Sequence, residues 1–132
     1  MCLALNLYWE ARDQPVIGQI AVGLSTMNRV SDKRYPDNVC DVVKQAKYHA
    51  WDMDNPIRHR CQYSWFCDGM SDEPTNGKAM LEATILAQNI YYGRVTDTSL
   101  GATHYHATWI ETPYWAHEMT TLFTIDDHIF YR

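Results

Sequence analysis

A chain of 132 residues with 46% hydrophobic and 13% aromatic side chains has the length and composition of one folded domain with a ring-rich core, which excludes a disordered or collagen-like polymer. Its formal net charge of -5 argues against a nucleic-acid binder, whose affinity comes from Lys and Arg neutralising phosphates, and offers a polyanionic polymer no bulk attraction. No apolar run approaches the ~20 residues of a membrane span, and the start, MCLALNLYWEAR, lacks the basic lead, long apolar stretch and small-residue cleavage site of a signal peptide.

In chain order, Leu3 to about Arg12 reads as a helix, with Leu3, Leu7 and Glu10 at i, i+4 and i+7, so that a carboxylate shares an apolar face. Asp13 is expected to cap a second helix, with Pro15 in its first turn, apolar positions Ile17, Ile20, Ala21, Leu24 and Met27, and an end near Val30. Ser31 to Asn38 contains Tyr35-Pro36 and reads as a loop; Asn38 then caps a third helix with Val39, Val42, Val43 and Ala46. From there to Asn76 the pattern is irregular and dense in rings. Helical spacing returns from Gly77 to Tyr92, where Gly93 is placed to end it. Thr103 to Ile110 and Thr120 to Tyr131, rich in Thr and aromatic residues and with a turn at Asp126-Asp127, predict a short antiparallel sheet. The fold class is α+β, mainly helical, in a single domain over 1–132, expected to be a monomer.

Glu10 is the residue with the strongest chemical potential. Cleaving a glycosidic bond requires a proton on the leaving oxygen, and a carboxyl group delivers it near neutral pH only if its pKa is raised. Apolar neighbours on one helix face supply that shift by desolvation. The competing reading pairs Glu10 with Arg12 or Arg29 and makes it a packing residue. The cysteines, Cys2, Cys40, Cys61 and Cys67, allow three full pairings and the sequence alone does not choose; Cys61 and Cys67 with His49 and His59 are also a conceivable zinc set, although no CxxC or HxxxH spacing accompanies them.

From Glu10 onward the chain reads YWEARDQPVIGQIAVGLSTMNRV, then YPDNVCDVV, CQYSWFCDG, GATHYHATWI and a closing HIFYR. This order resembles the SleB/CwlJ-type cell wall hydrolases, whose pattern opens on EAR, steps through Gly-Gln into a helix ending Asn-Arg-Val, and continues with Cys-Gln-Phe/Tyr-Ser-Trp, an A-T-H-Y-H-like strand and H-x-F-Y. The resemblance implies a lysozyme-like or lytic-transglycosylase-like fold acting on peptidoglycan glycan strands, with Glu10 as acid/base and no cofactor. Where many members carry EARGE, this chain has Gln14, so no second carboxylate stands there.

A two-carboxylate hydrolase needs a partner for Glu10. Asp68 is the first candidate, against a reading as a turn residue before Gly69; Asp13, Glu73, Glu82, Glu111 and Glu118 read more simply as a cap or solvated charges. A lytic transglycosylase needs only one acid, because the substrate's N-acetyl group steadies the sugar cation and its 6-hydroxyl closes a 1,6-anhydro ring. Tyr63, Ser64, Trp65, Tyr105 and His106 are expected to line the sugar cleft, and Asn28 and Gln62 to orient Glu10 or an acetamido group. His104 and His106 should share one face of a strand with Tyr105 on the other. Competing functions are a metal-dependent amidase or peptidase using those two histidines, a non-catalytic wall-binding module, and a Cys-His nucleophile from Cys61 or Cys67 with His59. A phage-type lysin and a truncated secreted enzyme fit the sequence equally.

Overall fold

The computed structural model describes residues 1–132. Helix α1 covers Cys2–Ala11, α2 Val16–Ser31, α3 Val39–Val43 and α4 Gly77–Tyr91; strands β1 His104–Ala107, β2 Thr121–Ile125 and β3 His128–Tyr131 follow, with 3-10 turns at Ser64–Cys67 and Tyr114–Glu118. No helix is long and apolar enough to cross a membrane.

Helix α2 touches α1, α3 and α4. Being wrapped on several sides, it buries the unbroken run Ala21–Thr26 rather than a single stripe. Ser25 and Thr26 can stand there because their hydroxyls donate back to the Ala21 and Val22 carbonyls, at 2.8 and 3.2 Å. Ile17, expected on the buried face, is 64% exposed. Asp13 is not the cap of α2. Pro15 occupies that position in an extended conformation, and its carbonyl receives the first helical N–H groups from Gly18 and Gln19. Asn38 caps α3 as expected, its side chain accepting from Asp41 N–H, and Asn76 caps α4 in the same way through Ala79.

Leu3, Leu7 and Tyr8 of α1 pack with Ala21, Val22 and Leu24 of α2, Ala83, Ala87 and Ile90 of α4, and Phe130 of β3 into the main core. The disulfide Cys2–Cys40 ties the first turn of α1 to α3, and Cys61–Cys67 closes a short loop in the irregular middle. Both sulfur pairs are consumed, which removes the thiols required by the zinc set and by the Cys-His nucleophile. The sheet order is β1-β3-β2, fully antiparallel, so the last strand lies in the centre and delivers Phe130 to the core. The β2–β3 hairpin turns at Asp126, whose φ of 47° lies in the left-handed region that Asp tolerates.

Candidate active site

Glu10 lies in the last turn of α1, on the same face as Asn6 one turn earlier and Leu3 and Leu7 below. The residue is half-buried and its carboxyl is largely withdrawn from solvent; burial raises its pKa, partly opposed by a hydrogen bond from Tyr105 and by the charge of Arg29. The carbonyl end of the α1 dipole disfavours a negative charge there as well. The Tyr105 hydroxyl on β1 donates to Glu10 Oε1. That bond requires β1 to approach the end of α1, and the register Tyr105↔Phe130 sets it by anchoring β1 to the core strand β3.

Arg29 is 5% exposed and forms no ion pair; the chain's sole salt bridge joins Arg34 to Asp32 on the surface. Its Nε donates to the Thr103 carbonyl at 2.7 Å and its Nη1 to Gln62 Oε1 at 3.1 Å, while the guanidinium lies 5.2 and 5.3 Å from the ring centres of Tyr35 and Tyr63. One buried cation thus joins α2, the Gln62-Tyr63 segment and the start of β1, and biases Glu10 toward ionisation without neutralising it. Arg12 points elsewhere, donating to the Tyr8 carbonyl and stacking on Tyr8 and Trp9. The packing-pair reading of Glu10 therefore has no partner in the structure.

Below Glu10 runs a buried polar chain. Asn6 donates to Thr26, accepts from the Trp65 indole at 2.9 Å, and Thr26 meets the Tyr63 hydroxyl at 3.3 Å. Tyr63 and Trp65, expected on the cleft wall, are 3% and 6% exposed. They are floor, not wall: their rings pack with Val42 and Val43, and their polar tips are spent on α1 and α2. His106 is also buried, its Nε2 2.7 Å from the Tyr131 hydroxyl and its ring stacked on Tyr131. Asn28 does not reach Glu10; its amide donates to Ser99 Oγ and the Ala102 carbonyl at 2.9 and 2.8 Å. Gln62, which accepts from Arg29, and Ser64 are both exposed.

Asp68 takes the turn role: its Oδ1 accepts from Met70 N–H just before Gly69, whose φ is +82°. Asp13, Glu73, Glu82, Glu111 and Glu118 are exposed, and no carboxylate is among the groups that perturb Glu10. His104 and His106 share a face as expected, both packed on Trp115, and no third His, Cys, Asp or Glu joins them. In the sequence Arg29 stands out only as a partner for Glu10. Its actual signal is the spacing Val22, Thr26, Arg29, which puts a cation on the buried face of α2.

Residues 13–131 match the family described as Cell Wall Hydrolase. The chain belongs to that family. The matched span begins just after Glu10, so the place of Glu10 in this cell wall hydrolase rests on geometry. A spore cortex-lytic enzyme of Halalkalibacterium halodurans is 28% identical over 128 residues, 97% of this chain and 33% of that protein, so the chain spans about a third of that relative. The catalytic domain of the Bacillus cereus SleB protein superposes with a TM-score of 0.69 at 22% identity, covering 98% of this chain and 86% of that one. The catalytic domain of the germination-specific lytic transglycosylase SleB from Bacillus anthracis gives 0.70 at 23%, covering 99% and 91%. The hydrolase thus shares the SleB catalytic-domain fold.

Proposed function

We propose that this cell wall hydrolase is a lytic transglycosylase that cuts peptidoglycan glycan strands between N-acetylmuramic acid and N-acetylglucosamine, as one catalytic domain over residues 1–132 with Glu10 as its acid/base. The observation that carries the reading is a desolvated carboxyl group with a hydroxyl donor and a nearby cation but no second carboxylate acting on it. The Bacillus anthracis protein of the same fold, a germination-specific lytic transglycosylase, points the same way.

In this reading Glu10 starts protonated, because burial favours the neutral acid, and gives its proton to the leaving oxygen as the bond from the sugar C1 breaks. The carboxylate then formed is held by Tyr105 and biased by Arg29. The substrate's N-acetyl group steadies the electron-poor C1 until the 6-hydroxyl attacks it. Glu10 takes the hydroxyl proton, the C1–O6 bond closes, and the acid is restored without consuming water. Opposed influences on one carboxyl serve this cycle, since both protonation states are used.

Mass spectrometry of fragments released from purified peptidoglycan tests it, with Glu10→Gln as control. Anhydro-muramic ends that vanish in the variant are the expected result. Reducing sugar ends instead indicate a hydrolase with a second carboxylate, and released peptides with intact glycan indicate an amidase or peptidase.

A further inference from the structure

An open cavity of about 290 Å³ is lined by Gln45, Ala46, Lys47, Arg60, Cys61 and Gln62. Its frame is a short two-stranded ladder: Ala46 bridges Cys61, Lys47 N–H donates to Arg60 and Gln62 N–H donates to Gln45, and the Cys61–Cys67 disulfide braces one side. Gln62 belongs to both places, because its side-chain carbonyl accepts from Arg29 beside Glu10 while the residue lines this cavity. The site therefore lies one side chain away from the candidate catalytic centre.

The chemistry of the lining is specific. Gln45 Oε1 is buried with no hydrogen-bond partner, so it requires an N–H or O–H donor. Lys47 and Arg60 are exposed cations with no ion-pair partner, so they suit a carboxylate. The stretch from Lys44 to Gln62 carries Lys44, Lys47, Arg58 and Arg60 against Asp52 and Asp54, a local excess of positive charge on a chain of net charge -5. A ligand presenting an amide N–H and a carboxylate a few bonds apart satisfies both demands. A plain acetamido sugar supplies only the first.

We propose that this cavity is a subsite for the carboxylate-bearing stem peptide that muramic acid carries in peptidoglycan, with a peptide N–H donating to Gln45 Oε1 and a peptide carboxylate meeting Lys47 and Arg60. The inference rests on the glycan-strand reading of Glu10 and makes the enzyme selective for strands that still bear peptides. Two measurements on the full chain test it. In the first, kcat/KM is compared on peptide-bearing strands and on the same strands stripped by an amidase. The wild type should prefer the peptide-bearing strands by about tenfold, the scale of one charge-assisted contact. The double variant Lys47→Ala, Arg60→Ala should lose that preference while its rate on stripped strands is unchanged. A wild type without preference, or a variant slowed equally on both, overturns the subsite.

The second measurement is independent of cleavage: ¹⁵N NMR titration with a soluble N-acetylmuramyl peptide and with its carboxamide derivative. The Gln45 side-chain amide should shift with the acid and require about tenfold more of the carboxamide. Equal binding of the two, or no shift at Gln45, rejects the proposal even if the strands are cut. Selective binding by a chain that cuts no strand would keep the subsite and reject the glycosidase reading.

Discussion

The two faces of β1 carry similar residue types and do opposite things. Tyr105 faces Glu10, which is desolvated and close to a buried cation that does not pair with it. One residue either way along the strand lies the opposite face, where His104 and His106 pack on Trp115 and find hydroxyl partners in Thr103, Tyr35 and Tyr131. Histidine is the commoner acid/base, yet here the histidines are satisfied and it is the glutamate that we propose is poised. On the proposed reading, what separates the reactive group from the packed ones is an unbalanced electrostatic environment, not residue type.

The hardest test of that contrast is Glu10→Gln. Loss of the proton should lower kcat by about 10²- to 10⁴-fold with the fold intact, measured as release of anhydro-muropeptides. The same variant should gain stability at neutral pH. Because the folded pKa of Glu10 lies above its ordinary 4.5, its stabilising contribution is complete below that value and declines as pH rises through the folded pKa. Melting temperatures of the two proteins should converge below pH 4.5 and separate above it, with Gln higher; a fall in Tm at pH 7 would mean the carboxylate is a structural partner after all.

Next in size are the groups that favour the ionised acid. Removing the charge in Arg29→Met, or the hydroxyl in Tyr105→Phe, takes away an influence that lowers the pKa of Glu10, so the alkaline limb of the kcat/KM profile should move to higher pH in both. Arg29→Met should also lower stability by about 1–3 kcal/mol by leaving the Thr103 carbonyl and Gln62 without their donor. Arg29→Lys keeps the charge and should hold the limb near its original place. A limb that stays put in both variants, with only Tm changed, would reduce Arg29 and Tyr105 to scaffold.

Trp65→Phe separates floor from wall. Loss of the indole donor leaves Asn6 Oδ1 without that partner, at a cost of about 1–3 kcal/mol seen as a lower denaturation midpoint. KM for glycan should stay unchanged. A raised KM with unchanged stability would restore Trp65 to the sugar-binding surface.

The placement of Glu10 was legible because a helix of period 3.6 put it on the Leu3-Leu7 face, and the strand alternation of His104, Tyr105 and His106 was legible for the equivalent reason. Helix ends marked by Asn38 and Gly93 could be read from local chemistry alone. Misreadings came where distant segments decide. Tyr63 and Trp65 look like sugar platforms until Asn6 and Thr26, far away in the chain, are seen to consume their polar tips. Asn28 fails in the same way through Ser99 and Ala102. Nothing in the local pattern announces that β3 is the central strand, or that Gln14 is buried with its amide on Asp127, because both depend on how the C-terminal hairpin returns to the helices.

The smallest effect is expected on the histidine face, and its sign is the useful part. Burial, with Arg29 and Arg34 adding to it, depresses His104 from 6.5 to about 4. A depressed histidine stabilises the fold fully above pH 6.5, and that contribution is lost as pH falls from 6.5 toward 4, because the unfolded chain binds a proton that the folded one refuses. His104→Gln cannot titrate, so the Tm advantage of the wild type should shrink by a few degrees between pH 7 and pH 4. The wild-type deficit against Glu10→Gln should also shrink over the acid range, since that variant's advantage vanishes there. Acidification thus costs the wild type stability through one face of β1 and returns it through the other. A His104→Gln gap that widens in acid would mean that His104 is charged in the fold, and the contrast between a satisfied face and a poised one would be lost.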